Sequence, residues 1–117
     1  DISALPEQIN NLDLITLIGV LQKCGHRPET ILKSCSSLLR KGGQLFLTTK
    51  NINWKKFRNG ELKPEKNHSW FSYSDIRDTL SSLDFTVKQT GGFSPRKNTI
   101  TDINNSHTFF IRALKIE

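Results

Sequence analysis

Methionine is absent from the 117 residues, and the chain opens at Asp1 in what reads as the middle of a longer phrase, so a fragment of a larger protein is expected. Long hydrophobic runs are missing as well. No window approaches the roughly 20 apolar residues of a membrane-spanning helix, and no signal-peptide pattern is visible. Cysteine is confined to Cys24 and Cys35. Both sit in apolar helical patterns, where a thiol behaves as a small hydrophobe, and neither has an activating neighbour that would make it a nucleophile. This cysteine usage fits a reducing cytoplasm. His26, His68 and His107 are widely separated, and the lack of any paired His or Cys spacing leaves no zinc or triad signature. Internal repeats and low-complexity tracts are lacking too.

What remains describes one globular domain with a modest core: 35% apolar residues and a mean hydropathy of −0.45. The formal charge of +6 would permit nucleic acid, anionic lipid or a phosphorylated substrate as partner. A modest excess of lysine is also an ordinary solvated surface, and that reading is preferred.

The organising stretch is Asn11 to Leu21, an apolar run too continuous for a half-exposed strand. It reads as a buried parallel strand over Asp13 to Ile18, closed by Gly19, with one helical turn over Gly19 to Cys24. Pro28 suits the first position of a helix, and Glu29 complements the positive end of its dipole. Ile31, Leu32, Cys35, Leu38 and Leu39 then paint one apolar stripe. Arg40 and Lys41 favour the helix terminus, and Gly42-Gly43 supplies a left-handed cap. Gln44 to Thr49 is a second buried strand, with Leu45, Phe46 and Leu47 all expected in the core. Strand, helix and strand make a βαβ crossover, which implies a parallel sheet.

Residues 50–67 turn polar, basic and irregular, yet Ile52, Trp54 and Phe57 are too apolar for a free tether, so the segment reads as an insertion. Ser72 and Asp75 form a capping box for a helix with Ile76, Leu80 and Leu83 on one face, ending near Asp84. Phe85 to Thr90 alternates as a half-exposed strand does, and Gly91-Gly92 ends it. A polar loop over Ser94 to Asn105 leads to a last strand, His107 to Leu114, which pairs most simply as an antiparallel partner. The fold class is therefore α/β.

Four phrases carry a family resemblance: Asp1-Ile2-Ser3-Ala4-Leu5-Pro6; Leu12-Asp13-Leu14-Ile15 with Val20-Leu21; Leu38-Leu39-Arg40-Lys41-Gly42-Gly43 with Leu45-Phe46; and His68-Ser69-Trp70-Phe71-Ser72 leading to Asp84-Phe85. In this order they resemble the C-terminal half of a class I S-adenosylmethionine-dependent methyltransferase. The similarity is greatest to enzymes related to the ubiquinone-biosynthesis O-methyltransferases. The resemblance implies a Rossmann-like sheet ending in an antiparallel hairpin, and methyl transfer to a small-molecule acceptor. One departure is Asp84, which stands where the family usually has glycine in a left-handed position. The glycine-rich loop that holds the methionine part of the cofactor is not in this sequence.

By that resemblance, Asp1 and Ile2 meet the adenine, Ile18 and Gly19 receive the cofactor's ammonium group, and Leu21 and Gln22 flank the transferable methyl. Core packing is the competing account of Leu21. Asn51, Asn53, Trp54 and Phe57, with His68 and Trp70 at the end of the insertion, cover the acceptor; a satellite apolar cluster under a long loop is the plain alternative. No catalytic residue and no metal ligand is indicated. A different class of function also fits. Lys50, Lys55, Lys56, Arg58, Lys63 and Lys66 interleaved with Trp54 and Phe57 suit phosphate contact and base stacking in a non-catalytic nucleic-acid-binding module, and a degenerate scaffold on the same fold is a third reading.

Overall fold

A computed structural model describes residues 11–23, 27–64, 68–94, 99–103 and 106–116. The apolar run forms strand β1, Leu12–Ile18, and one turn of 3-10 helix follows at Leu21–Lys23. Helix α1 spans Pro28–Leu38, with Pro28 in its first turn as the sequence suggests. Strand β2 is Leu39–Lys50, the short helix α2 is Lys55–Arg58, and helix α3 is Tyr73–Ser82. Three strands complete the chain: β3 Phe85–Ser94, β4 Thr99–Thr101 and β5 Thr108–Lys115.

The five strands form one sheet in the order β1-β2-β5-β3-β4. β1 and β2 are parallel, whereas β5 runs antiparallel to both β2 and β3. The α/β class, the parallel pair and the antiparallel ending are as expected. Both long helices lie on one face, where Ile31, Leu32 and Cys35 of α1 and Ile76 and Leu80 of α3 are buried against Ile15, Leu17, Leu45, Leu47, Phe109, Ile111 and Ala113. Burial pushes the Cys35 thiol up to about 12, so it is a packing group. No helix among the described residues is long and apolar enough to cross a membrane.

Four expectations are corrected. α1 stops at Leu38, and the extended Leu39 already begins β2, so Gly42-Gly43 is not its cap. The glycines instead make an irregularity in β2, where the register against β1 shifts between Leu12 and Leu14. Gly42 has φ +82°, and a side chain on Gly43 would press on the carbonyls of Arg40 and Leu12 at 2.9 Å. The carbonyls at the end of α1 are met from the far end of the chain, where Lys115 Nζ donates to Ser36 O and, at 2.9 Å, to Leu39 O.

Second, β3 runs through Gly91-Gly92 to Ser94. Gly92 is required by close approach, because a Cβ there would lie 2.4 Å from Asp102 O and from Ser106 Cβ. Third, the loop over 94–105 contains β4, which pairs with β3. Fourth, Phe46 is not in the core. Period-two alternation sends Leu45 and Leu47 to the helix face and turns Phe46 to the opposite face, where it stacks on Phe110 with ring centroids 5.9 Å apart. That second face carries no helix among the described residues, and Leu14 and Ile18 are 58% and 68% exposed on it.

Both ends of α3 follow the sequence analysis. Ser72 Oγ accepts from the Asp75 amide at 3.1 Å. Asp84 adopts φ +65°, the left-handed geometry that the family resemblance implies.

Candidate functional site

Because β1 and β2 are parallel, their carboxyl ends meet at one edge, and antiparallel β5 begins there. Asn51 forms an isolated bridge to Phe71, which brings the start of α3 to the same edge. This convergence is where ligands sit in open α/β sheets.

The turn after β1 is held by side chains of β2 and the turn itself. Gly19, at φ +67°, donates its amide to Thr48 Oγ1 at 3.0 Å. Among the described residues, a Cβ on Gly19 would meet only the Gln22 side-chain nitrogen, at 4.0 Å. The Gln22 side-chain oxygen accepts from Lys50 N at 3.0 Å, and its backbone carbonyl accepts from Ser69 N at 2.9 Å. Gln22 thus ties the turn both to β2 and to the segment leading into α3.

Beyond β2, Asn51 is 1% exposed. Its carboxamide nitrogen donates to Ile103 O at 2.9 Å and Ser106 O at 3.1 Å, and its oxygen accepts from Asn53 N at 3.0 Å. Its amide also donates to His107 O. With every group engaged, Asn51 fixes the loop before β5 against the insertion and shares only surface with a neighbouring pocket.

The insertion closes into an aromatic cluster. Phe57 stacks on Trp70 with centroids 3.7 Å apart, and Trp54 meets Phe57 edge-on at 4.9 Å and His107 at 5.0 Å. The ring of Phe57 is only 9% exposed. It is therefore not presented for stacking on a base, which removes one of the two aromatics from the nucleic-acid reading. The Trp70 indole N–H and the Thr49 hydroxyl are buried without a hydrogen-bond partner among the described residues.

His107, set aside in the sequence for want of a partner, joins this cluster. Its Nδ1 lies 2.8 Å from Thr108 Oγ1. Burial first, and the charge of Lys50 second, hold its pKa below the ordinary histidine value. The available signal was pairing: as the residue before β5, His107 had to lie beside the end of β2 once those strands were antiparallel neighbours.

Of the other residues singled out, Ile18 and Gly19 stand at the edge. Leu21 has its side chain fully buried in the core, so only its backbone faces the turn. Asn53 is exposed, while His68 and Trp70 are half-buried next to the insertion. Asp1 and Ile2 lie outside the described residues. Among the described residues, no group of His, Cys, Asp or Glu is arranged to hold a metal ion.

Two cavities flank the edge. One, of about 480 Å³, is lined by Ile18, Phe46, Thr48, Phe93, Thr108 and Phe110 on the helix-free face. The other, of about 340 Å³, lies on the helix side against α3.

No protein-family model matches the sequence. It is 27% identical over 100 residues to a ubiquinone biosynthesis O-methyltransferase of Marinobacter nauticus, an alignment covering 76% of this chain and 42% of that protein. The chain thus spans less than half the length of this relative. Among solved structures, it superposes with a TM-score of 0.76 at 21% identity on an S-adenosylmethionine-dependent methyltransferase of Thermotoga maritima, described as a possible histamine N-methyltransferase, over 97% of this chain and 60% of that one. The magnesium protoporphyrin IX methyltransferase of Synechocystis, with bound S-adenosylhomocysteine, gives a TM-score of 0.68 at 18% identity over 98% of this chain and 48% of that one. The chain carries the sheet and helices of the S-adenosylmethionine-dependent methyltransferase fold and resembles the ubiquinone biosynthesis O-methyltransferases in sequence.

Proposed function

We propose that residues 1–117 form the C-terminal part of a single methyltransferase domain that transfers a methyl group from S-adenosylmethionine to a small-molecule acceptor in the cytoplasm. The observation that carries this reading is the turn at Gly19. It sits at the carboxyl edge of a parallel pair, in a left-handed conformation, pinned to Thr48, and among the described residues only the Gln22 side chain would meet a Cβ there, at 4.0 Å. That cradle fits the aminoacyl end of the cofactor, whose approach a side chain at Gly19 would obstruct.

When bound, the cofactor supplies an electrophilic sulfonium methyl, so this chain's residues need only hold, orient and exclude water. Backbone groups of Ile18, Gly19 and Leu21 line one side of the place where it would rest, with Gln22 between it and the acceptor. The family resemblance assigns Asp1 and Ile2 to the adenine. Asn53, Trp54, His68 and Trp70 would cover the acceptor, with the buried Phe57 packed behind Trp54 and Trp70 and Asn51 holding that cover in place. Residues 50–67 act as the substrate-side insertion.

The glycine-rich half of such a domain supplies most polar contacts to the methionine and ribose. Without them several kcal/mol of binding is lost, and each 1.4 kcal/mol is about tenfold in affinity. Calorimetric titration with S-adenosylmethionine tests this. These 117 residues should bind no better than roughly millimolar, and a protein that also contains a strand and Gly-x-Gly loop upstream should bind in the micromolar range. Absence of binding by the longer protein would remove the cofactor assignment.

A further inference from the structure

On the helix side of the edge, the 340 Å³ pocket is lined by Asn51, Asn53, Tyr73, Ser74, Arg77 and Ile103. Its size suits a small ring-bearing molecule. The chemistry of its lining is one-sided. It offers a guanidinium, a carboxamide and two hydroxyls, and none of the six residues is acidic. Asn51 is already saturated by backbone groups, so its surface serves as a wall. Asn53 is different, because the Asn51 side chain engages only its backbone amide, and the residue is exposed.

Among the described residues of the lining, Arg77 is the one charged group. Its guanidinium carbon lies 5.6 Å from the centre of the Tyr73 ring. Tyr73 is itself stacked on the buried Phe109 at 5.9 Å, so the platform beneath the guanidinium is anchored in the core. The anionic neighbour of Arg77 is weakly placed. Asp78 Oδ1 accepts from Nε and Nη2 at 3.3 Å each, and both side chains are largely in solvent, with exposures of 50% and 72%. An exposed pair of this kind contributes little and yields readily to a better-placed carboxylate. The guanidinium fork matches a planar carboxylate in two-pronged fashion, and Tyr73 and Ile103 supply apolar surface in the same lining.

From this combination we propose that the pocket binds the carboxylate of a small aromatic acid, and that the methyl acceptor bears such a group. The second clause rests on the methyltransferase reading, while the first does not. The carboxylate pairs with Arg77 and Asn53 and the ring lies against Tyr73 and Ile103. This leaves the rest of the acceptor at the same sheet edge as the Gly19–Gln22 turn.

The test uses benzoate as probe and benzamide as its neutral match, titrated into the chain while side-chain and backbone N–H resonances are followed. Benzoate should shift the Arg77 and Asn53 side-chain signals and bind at least about tenfold more tightly than benzamide. Arg77→Gln, at a solvent-facing helical position that leaves the core untouched, should abolish that preference. Asp78→Asn should strengthen benzoate binding by removing the competing carboxylate. Equal affinity for the two probes, or benzoate binding unchanged in Arg77→Gln, overturns the site. Parallel titration with S-adenosylhomocysteine, read at the Gly19 amide, separates the two claims. Cofactor binding without Arg77-dependent benzoate binding defeats the pocket alone. Benzoate binding without any response at Gly19 keeps the pocket and defeats its link to methyl transfer.

Discussion

The Asn51 carboxamide donates to the carbonyl of Ser106 at 3.1 Å across 55 residues of sequence, inside a buried environment. The same nitrogen reaches Ile103 O at 2.9 Å. One side chain therefore joins the end of β2 to the loop that precedes β5. Replacing it by alanine removes the partner of Ser106 O and of the Asn53 amide, while Ile103 O keeps the Ser106 hydroxyl at 2.8 Å, and should cost about 2–3 kcal/mol in denaturant unfolding. Asn51→Asp should be worse than alanine, because a carboxylate would face two carbonyl oxygens. If Asn51→Ala costs less than about 0.5 kcal/mol, this clip is not a structural tie.

Core geometry makes an ordering of substitutions in β2. Leu45 and Leu47 are fully buried, whereas Phe46 faces the open side of the sheet. Leu47→Ala should cost about 2–5 kcal/mol, and Phe46→Ala about 1–2 kcal/mol despite the larger side chain removed. The reverse order in urea unfolding would mean that the second face is covered in solution.

Gly92 tests the close approach of β3 to the loop before β5. A methyl group there would fall 2.4 Å from Asp102 O, backbone that cannot rotate away. Gly92→Ala should therefore destabilise by more than about 2 kcal/mol, with amide exchange accelerating first around Phe93 and Ser106.

His107 predicts a pH effect. Its folded-state pKa lies below the unfolded value of 6.5, so the unfolded chain binds more protons as the pH falls below that value. Stability should hold above pH 6.5, then decline as the pH falls through the folded pKa, and level off below it as far as this residue is concerned. His107→Gln should flatten that part of the profile, measured as urea midpoint against pH. An unchanged slope would assign the titration elsewhere.

Much of this architecture could be read from side-chain periodicity. The α1 stripe and the Ser72 cap are local features written in neighbouring residues, the left-handed Asp84 is implied by the family resemblance, and all three appear in the structure. What could not be read depends on residues distant in sequence. Lys115 meets carbonyls at the end of α1, and Gly92 is glycine because of Asp102 and Ser106. Read locally, each glycine pair looked like a stop signal. The site shows the same division. Gly19 at the end of an apolar run marked the edge, and Trp54, Phe57 and Trp70 marked the cluster. His107 and Arg77 became visible only once β5 and α3 were placed beside Asn51.

The central claim is that the Gly19 turn receives the cofactor, and its most direct measurement is a resonance-by-resonance titration of the chain with S-adenosylhomocysteine. The account predicts saturable shifts at the amides of Ile18, Gly19 and Gln22, in the range of roughly 1–10 mM, and their loss in Gly19→Val. Shifts confined to the basic residues around Lys55 and Lys63, or shifts at Ile18 and Gln22 that persist unchanged in Gly19→Val, would contradict it.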